Sequence, residues 1–166
     1  MPLQAEGEFA LVRQKLERAL GLEGQPVKRG TMAHDHIVYM MLADTAAQAH
    51  DVDGLHQYLP LLEELAHRDD HQPYLAVAHR ARGVAYTLDG RYAEAETRLQ
   101  QALRIFEAMA ARWQIGRTLV ALAELDLAQS DPGAAREHLT AALAEFEAIG
   151  AAPDVERTRA AMHLGV

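Results

Sequence analysis

Apolar residues recur at spacings of three and four along almost the whole chain, and no useful stretch alternates at a period of two. That rhythm places successive apolar side chains on one helix face, so the pattern predicts an all-α protein. A first helix is expected over about Glu8–Leu20, with Phe9, Val12, Leu16 and Ala19 on one face and Gly21 ending it. The segment Gly21–Gly30, rich in glycine and holding Pro26, is the longest predicted loop. A second helix follows over about Met32–Ala49 and a third over about Val52–His67. Pro60 falls inside the third, where the missing donor and the ring predict a bend or a late start. Pro73 suits the first turn of a fourth helix that runs to about Leu88, and "LDGR" turns the chain into a fifth over about Tyr92–Ala110. The sixth is expected over about Trp113–Ala128. Asp131 then caps and Pro132 opens the seventh, and Gly150 and Pro153 precede a short eighth.

The pattern also repeats. Ala95, Leu99, Ala102, Leu103, Phe106, Glu107, Ala108, Arg117, Thr118 and Ala121 recur forty positions later as Ala135, Leu139, Ala142, Leu143, Phe146, Glu147, Ala148, Arg157, Thr158 and Ala161. A fixed period of this size in a helical chain marks a solenoid, in which each hairpin buries its apolar face only against its neighbours. Gly83, Tyr86, Ala95 and Leu99, with Gly90 and Tyr92 in the intervening turn, resemble the tetratricopeptide repeat. Small Gly83 and Ala95 would sit where two helices approach closely, with Tyr86 and Leu99 filling the space beside them.

The resemblance implies a right-handed α-α superhelix of antiparallel hairpins forming a single domain over 1–166. Its parts would be an N-terminal helix and loop at 1–33, a weak repeat at 34–73, repeats at 74–113 and 114–153, and a capping helix at 154–166. Leu55, Leu59 and Leu62 hold the corresponding positions in the weak unit. His79, Arg82 and Glu107 depart from the usual Trp, Leu and Pro. Without that Pro the fifth helix can continue, which accounts for the longer period. The endings "RIFEAMAAR" and "AEFEAIGAA" look like those in regulatory arms of bacterial signalling proteins.

Composition narrows the function. A net charge of -8 over 166 residues opposes the phosphate backbone and argues against nucleic-acid partners. The absence of cysteine removes disulfides and thiolate chemistry and suits a cytoplasmic protein. The acidic opening lacks an apolar signal core, and no run nears the roughly 18 apolar residues of a membrane span. Abundant Ala, Arg in excess of Lys, and the lack of Asn are associated with a GC-rich bacterial genome.

Candidate chemistry is sparse. His34, Asp35 and His36, or His67 with His71, invite a metal reading, but His34 and His36 would not share a helix face and three converging ligands are wanting. Ser130, the only serine, reads as turn punctuation, and Gly21 and Gly24 as helix termination rather than a phosphate cradle. Carboxylate pairs such as Glu63 with Glu64, or Glu94 with Glu96, fall on solvated faces. No enzyme, cofactor or metal is therefore expected.

A binding surface is the better expectation. Tetratricopeptide stacks line their concave groove with the first helix of each hairpin. That register, implied by the resemblance, names Ile37, Met40, Asp44, Val77, Arg80, Val84, Arg117, Val120, Glu124 and Arg157 as partner-binding. Arg80, Arg117 and Arg157 could clamp carboxylates beside the valines, which favours an acidic-hydrophobic peptide. The plainer reading has these arginines pairing with neighbouring Asp and Glu. The lack of Asn disfavours the Lys/Asn clamp of chaperone-cofactor relatives, and Trp113 reads as a plug between repeats. The expected function is a non-catalytic module binding a protein or peptide in bacterial regulation. The alternative is a structural, homo-oligomerising domain of a larger regulator, such as a homodimer.

Overall fold

The computed structural model describes the backbone of residues 2–19 and 33–165 and the side chains of residues 8–18 and 37–163. Among the described residues every regular element is helical: α1 Pro2–Ala19, α2 Ala33–Gln48, α3 Val52–Arg68, α4 Gln72–Leu88, α5 Tyr92–Ala108, α6 Arg112–Ala128, α7 Pro132–Ala148 and α8 Ala152–Gly165. The predicted loop Gly21–Gly30 and its Gly21 stop lie outside the described residues. Pro60 neither delays nor divides α3, which starts at Val52 and continues past it. The ring is exposed on the helix surface, where only one backbone bond is lost.

One turn, used six times, sets the helix boundaries. His50, Asp70, Gly90, Ala110, Ser130 and Gly150 all have positive φ, recurring every twenty residues. After each, the next N–H reaches back to close the helix. Asp51 bonds Ala46, His71 bonds Ala66, Arg91 bonds Tyr86, Ala111 bonds Phe106, Asp131 bonds Asp126 and Ala151 bonds Phe146, at 2.8–3.1 Å. This left-handed cap satisfies carbonyls that a helix end would otherwise leave open. It also explains why α5 stops at Ala108 rather than Ala110: Ala110 itself adopts the left-handed conformation. The residue after each cap starts the next helix. Asp51 and Asp131 do so with their side chains, accepting from the backbone N–H of Gly54 at 3.0 Å and of Ala134 at 2.9 Å.

The chain divides into two compact units, Met1–Ala81 and Arg82–Val166. In the first, α2 packs on α3, and Tyr39, Leu42, Ala43, Leu55, Tyr58, Leu59 and Leu62 are buried. The two helices come close at Gly54, where an added Cβ would lie 3.0 Å from the Ala46 methyl. α1 joins this unit differently, for none of its described side chains is fully buried. Arg13 reaches Asp51 at 2.5 Å and Gln57 at 3.3 Å, and the Tyr58 hydroxyl donates to Glu17.

In the second unit the small-to-large fit expected around Gly83 is present. A Cβ on Gly83 would lie 2.5 Å from Leu99 Cγ and 3.3 Å from the Ala95 carbonyl oxygen, and Ala95 is fully buried. Forty residues on, the equivalent Ala123, Ala135 and Leu139 form one buried cluster, flanked by Val120 and Met162. Gly116 gives room to the ring of buried Phe146, whose Cε1 would lie 2.6 Å from an added Cβ. In this unit Gly83 against Leu99 and Gly116 against Phe146 each set a small residue on one helix against a large one on another.

Candidate functional site

The residues named by the groove register divide between the two units. In the first, Ile37 on α2 is exposed and Met40 half-buried, while Val77 on α4 is buried. Asp44 and Arg80 meet each other: Arg80 Nη2 donates to Asp44 Oδ1 at 2.8 Å, and Arg80 is only 3% exposed. A buried guanidinium is held there by its carboxylate, because stripping water from an unpaired charge would cost several kcal/mol. Arg80 belongs to the packed interior of this unit, and Asp44, 18% exposed, lies at its edge.

In the second unit Val84 is buried and Val120 half-buried against the Ala123 cluster, whereas Glu124 is exposed. Arg117 and Arg157 are brought into one network by two residues outside the register. The Arg117 guanidinium lies over the Trp113 ring, 4.7 Å from its centroid. Trp113 Nε1 donates to Asp154 Oδ2 at 3.1 Å, and Arg157 Nη2 donates to Asp154 Oδ1 at 2.7 Å. Trp113 and Arg117 are one helical turn apart on α6, and Asp154 and Arg157 lie in the first turns of α8. The network therefore ties together two helices that are not sequence neighbours. Trp113 does bridge successive hairpins, as a plug would, yet it stays 41% exposed. Arg157 is the outermost member, its side chain 71% exposed. Arg112, beside Trp113, faces Glu145 at 3.5 Å, and Arg159 faces Glu147 at 2.6 Å.

Asp154 is the member that sequence reasoning missed. Its signal was present: the i, i+3 spacing to Arg157 that makes helical ion pairs. The indole partner, forty-one residues away, had no sequence signal at all.

The first unit also holds a cleft of about 190 Å³ between α1 and α2, lined by Phe9, Arg13, Leu42, Thr45 and Asp51 among others. Arg13 also lies over the ring of Tyr58, whose hydroxyl pKa is pushed up to about 12, first by burial and then by its hydrogen bond to Glu17, against the opposing charge of Arg13. Burial works against the charge of Arg13, but its hydrogen bond to Glu17 and the neighbouring Tyr58 and Asp51 raise its pKa overall.

The side chains of His34, Asp35 and His36 lie outside the described residues. His67 and His71 are exposed, and His71 stacks on Tyr74 with ring centroids 3.9 Å apart. Among the described residues no three His, Asp or Glu side chains converge as metal ligands, and no helix is long and apolar enough to cross a membrane.

Comparison with known proteins agrees with the hairpin geometry. Residues 74–148 match the family model described as tetratricopeptide repeat, whereas neither the curated proteins nor the solved structures yield a match. The matched span runs from the start of α4 to the end of α7 and holds the Gly83–Leu99 and Gly116–Phe146 contacts. Tetratricopeptide repeats generally serve as protein-protein interaction modules and are typically non-catalytic. The hairpins, the small-to-large contacts within them and the family match together identify residues 74–148 as tetratricopeptide repeats.

Proposed function

We propose that the protein is a non-catalytic interaction module that binds an acidic, partly apolar segment of a partner protein on the face formed by α6 and α8. The observation that carries this reading is the grouping of exposed Arg157 and Glu124 with half-buried Arg117 and Val120 on α6 and α8, where Arg117 and Arg157 are joined through Trp113 and Asp154. Guanidinium groups on a rigid helical face recognise carboxylates through charge-assisted hydrogen bonds, while the valine offers apolar contact beside them. Arg80 and Asp44 support the first unit from within, and Ile37 and Met40 are that unit's accessible candidates. The forty-residue period and the helix endings that resemble regulatory arms support a role in bacterial regulation. Capture of a defined partner by the folded chain, weakened about tenfold by Arg117→Ala with Arg157→Ala, is the expected result, since hydrogen bonds to charged groups contribute roughly 1.5–3 kcal/mol each. Unchanged affinity in the folded double variant would reject the face.

A second reading, self-association, is favoured by exposed apolar side chains in the first unit: Leu11 and Val12 on α1, Ile37 and Met41 on α2. Light scattering decides it. A monomer across the working concentration range rules it out, and a dimer dispersed by Ile37→Lys or Met41→Lys supports it.

A further inference from the structure

On the second unit, Asp154 occupies a position that a partner's carboxylate could share. One of its oxygens takes the indole N–H of Trp113 at 3.1 Å and the other takes the guanidinium of Arg157 at 2.7 Å. Its side chain is only 15% exposed, while that of Arg157 is 71% exposed, so the guanidinium reaches from a shielded acid out into solvent. A guanidinium carries five N–H donors, and a single contact to Asp154 leaves most of them facing water. The indole is similarly two-sided: its N–H is spoken for, one face carries the Arg117 guanidinium, and 41% of the residue remains accessible. Held at both its ring face and its N–H, the indole loses little rotamer freedom when a ligand arrives, which is the property of an anchoring aromatic at an interface.

We propose that Trp113 and Arg157, linked by Asp154, are the anchoring point of the partner-binding face. They take a peptide segment in which an Asp or Glu side chain stands next to a large aliphatic or aromatic one. This deepens the interaction-module reading and rests on it. The partner's carboxylate binds the outward N–H groups of Arg157, and its apolar neighbour covers the indole. Asp154 has two effects that can be separated: it orients Trp113 and Arg157, and it competes with the incoming carboxylate for the same guanidinium. The competition is mild, because an exposed i, i+3 ion pair of this kind contributes little free energy.

The test is selection of a displayed random-peptide library on the full-length chain, followed by titration of the enriched peptides. Trp113 is the only tryptophan, so its emission reports occupancy directly. Expected are peptides that pair Asp or Glu with Leu, Ile, Met or Phe, that shift the Trp113 emission, and that bind more weakly in high salt. Arg157→Gln, a change at an exposed position, should weaken them about tenfold, and Trp113→Leu should do at least as much. Asp154→Asn should tighten them by about twofold to fivefold by removing the competing charge while keeping an acceptor for the indole. A purely structural role for Asp154 predicts the opposite sign. Peptides that bind Arg157→Gln and Trp113→Leu as tightly as the parent would overturn this anchoring point yet leave the interaction-module reading standing. A library that yields no binder would overturn both.

Discussion

The hairpin of α2 and α3 and the hairpin of α6 and α7 follow the same path with different interior solutions. Both begin their second helix with an aspartate, Asp51 or Asp131, whose side chain takes the N–H three residues on. Both are closed by the same left-handed cap, at His50 and Asp70 in one and at Ser130 and Gly150 in the other. Their packing diverges. In α6–α7 the close approaches are Gly116 under Phe146 and the small pair Ala123 and Ala135 beside Leu139. In α2–α3 the place of Ala135 is taken by Leu55 and that of Phe146 by Ala66, and the close approach moves to Gly54 against Ala46. The first unit adds an ion pair between buried Arg80 and half-buried Asp44 and a polar attachment of α1 through Arg13 and Glu17. A hairpin's path is thus set by its caps and turn spacing, while each interface needs only some small residue where the two helices come close. That freedom is why the family match covers 74–148 while the hairpin of 33–68 folds alike.

If the second unit depends on Phe146 seated over Gly116, Phe146→Ala should destabilise it by about 3–5 kcal/mol. Gly116→Ala should be destabilising in the parent, where the new methyl meets the ring, and stabilising by up to about 1 kcal/mol in the Phe146→Ala background, where only helix propensity remains. A chemical-denaturation cycle in which Gly116→Ala has the same sign in both backgrounds would break the comparison at its centre.

The first unit should instead depend on its ion pair. Arg80→Ala leaves Asp44 without its guanidinium in a shielded site and should cost roughly 3 kcal/mol, while Asp44→Leu with Arg80→Met should recover most of that loss. The same denaturation experiment reads both, and a harmless Arg80→Ala would show that the pair holds nothing together.

The caps, shared by both units, allow a smaller and sign-specific test. Gly90 has φ +74 with nothing within 4 Å of an added Cβ, so Gly90→Ala should cost about 1 kcal/mol through backbone conformation alone. Ala110→Gly, at φ 51, should move stability the other way by a similar or smaller amount. Equal signs would mean that the turn is not what fixes the helix ends.

The smallest effect belongs to the α1 attachment. Tyr58 is raised from 10.0 to about 12, so its protonated form supports the fold fully below about pH 10, and that support is lost as pH climbs through 10 toward 12. Absorbance titration of the phenols should show one group ionising near pH 12, absent in Tyr58→Phe. Parent and Tyr58→Phe titrating alike near pH 12 would show that Glu17 does not hold the hydroxyl.

Local chemistry written in the sequence determined the helices, their order and the repeat. The three-and-four spacing, Asp131 with Pro132, and Gly90 and Gly150 mark elements through interactions within a few residues, which is the range over which a sequence can be read directly. The same locality hid four of the six caps, because His50, Asp70, Ala110 and Ser130 adopt a glycine-like conformation without being glycine. Gly83 against Leu99 was legible because the repeat supplied the register. The fate of the three register arginines was not legible, since a guanidinium can reach any carboxylate that the fold brings near. Only tertiary structure decided that Arg80 turns inward to Asp44 while Arg117 and Arg157 meet across Trp113 and Asp154. Helix periodicity tells which face a residue occupies; whether that face is buried, and which charge waits opposite, depends on helices tens of residues away.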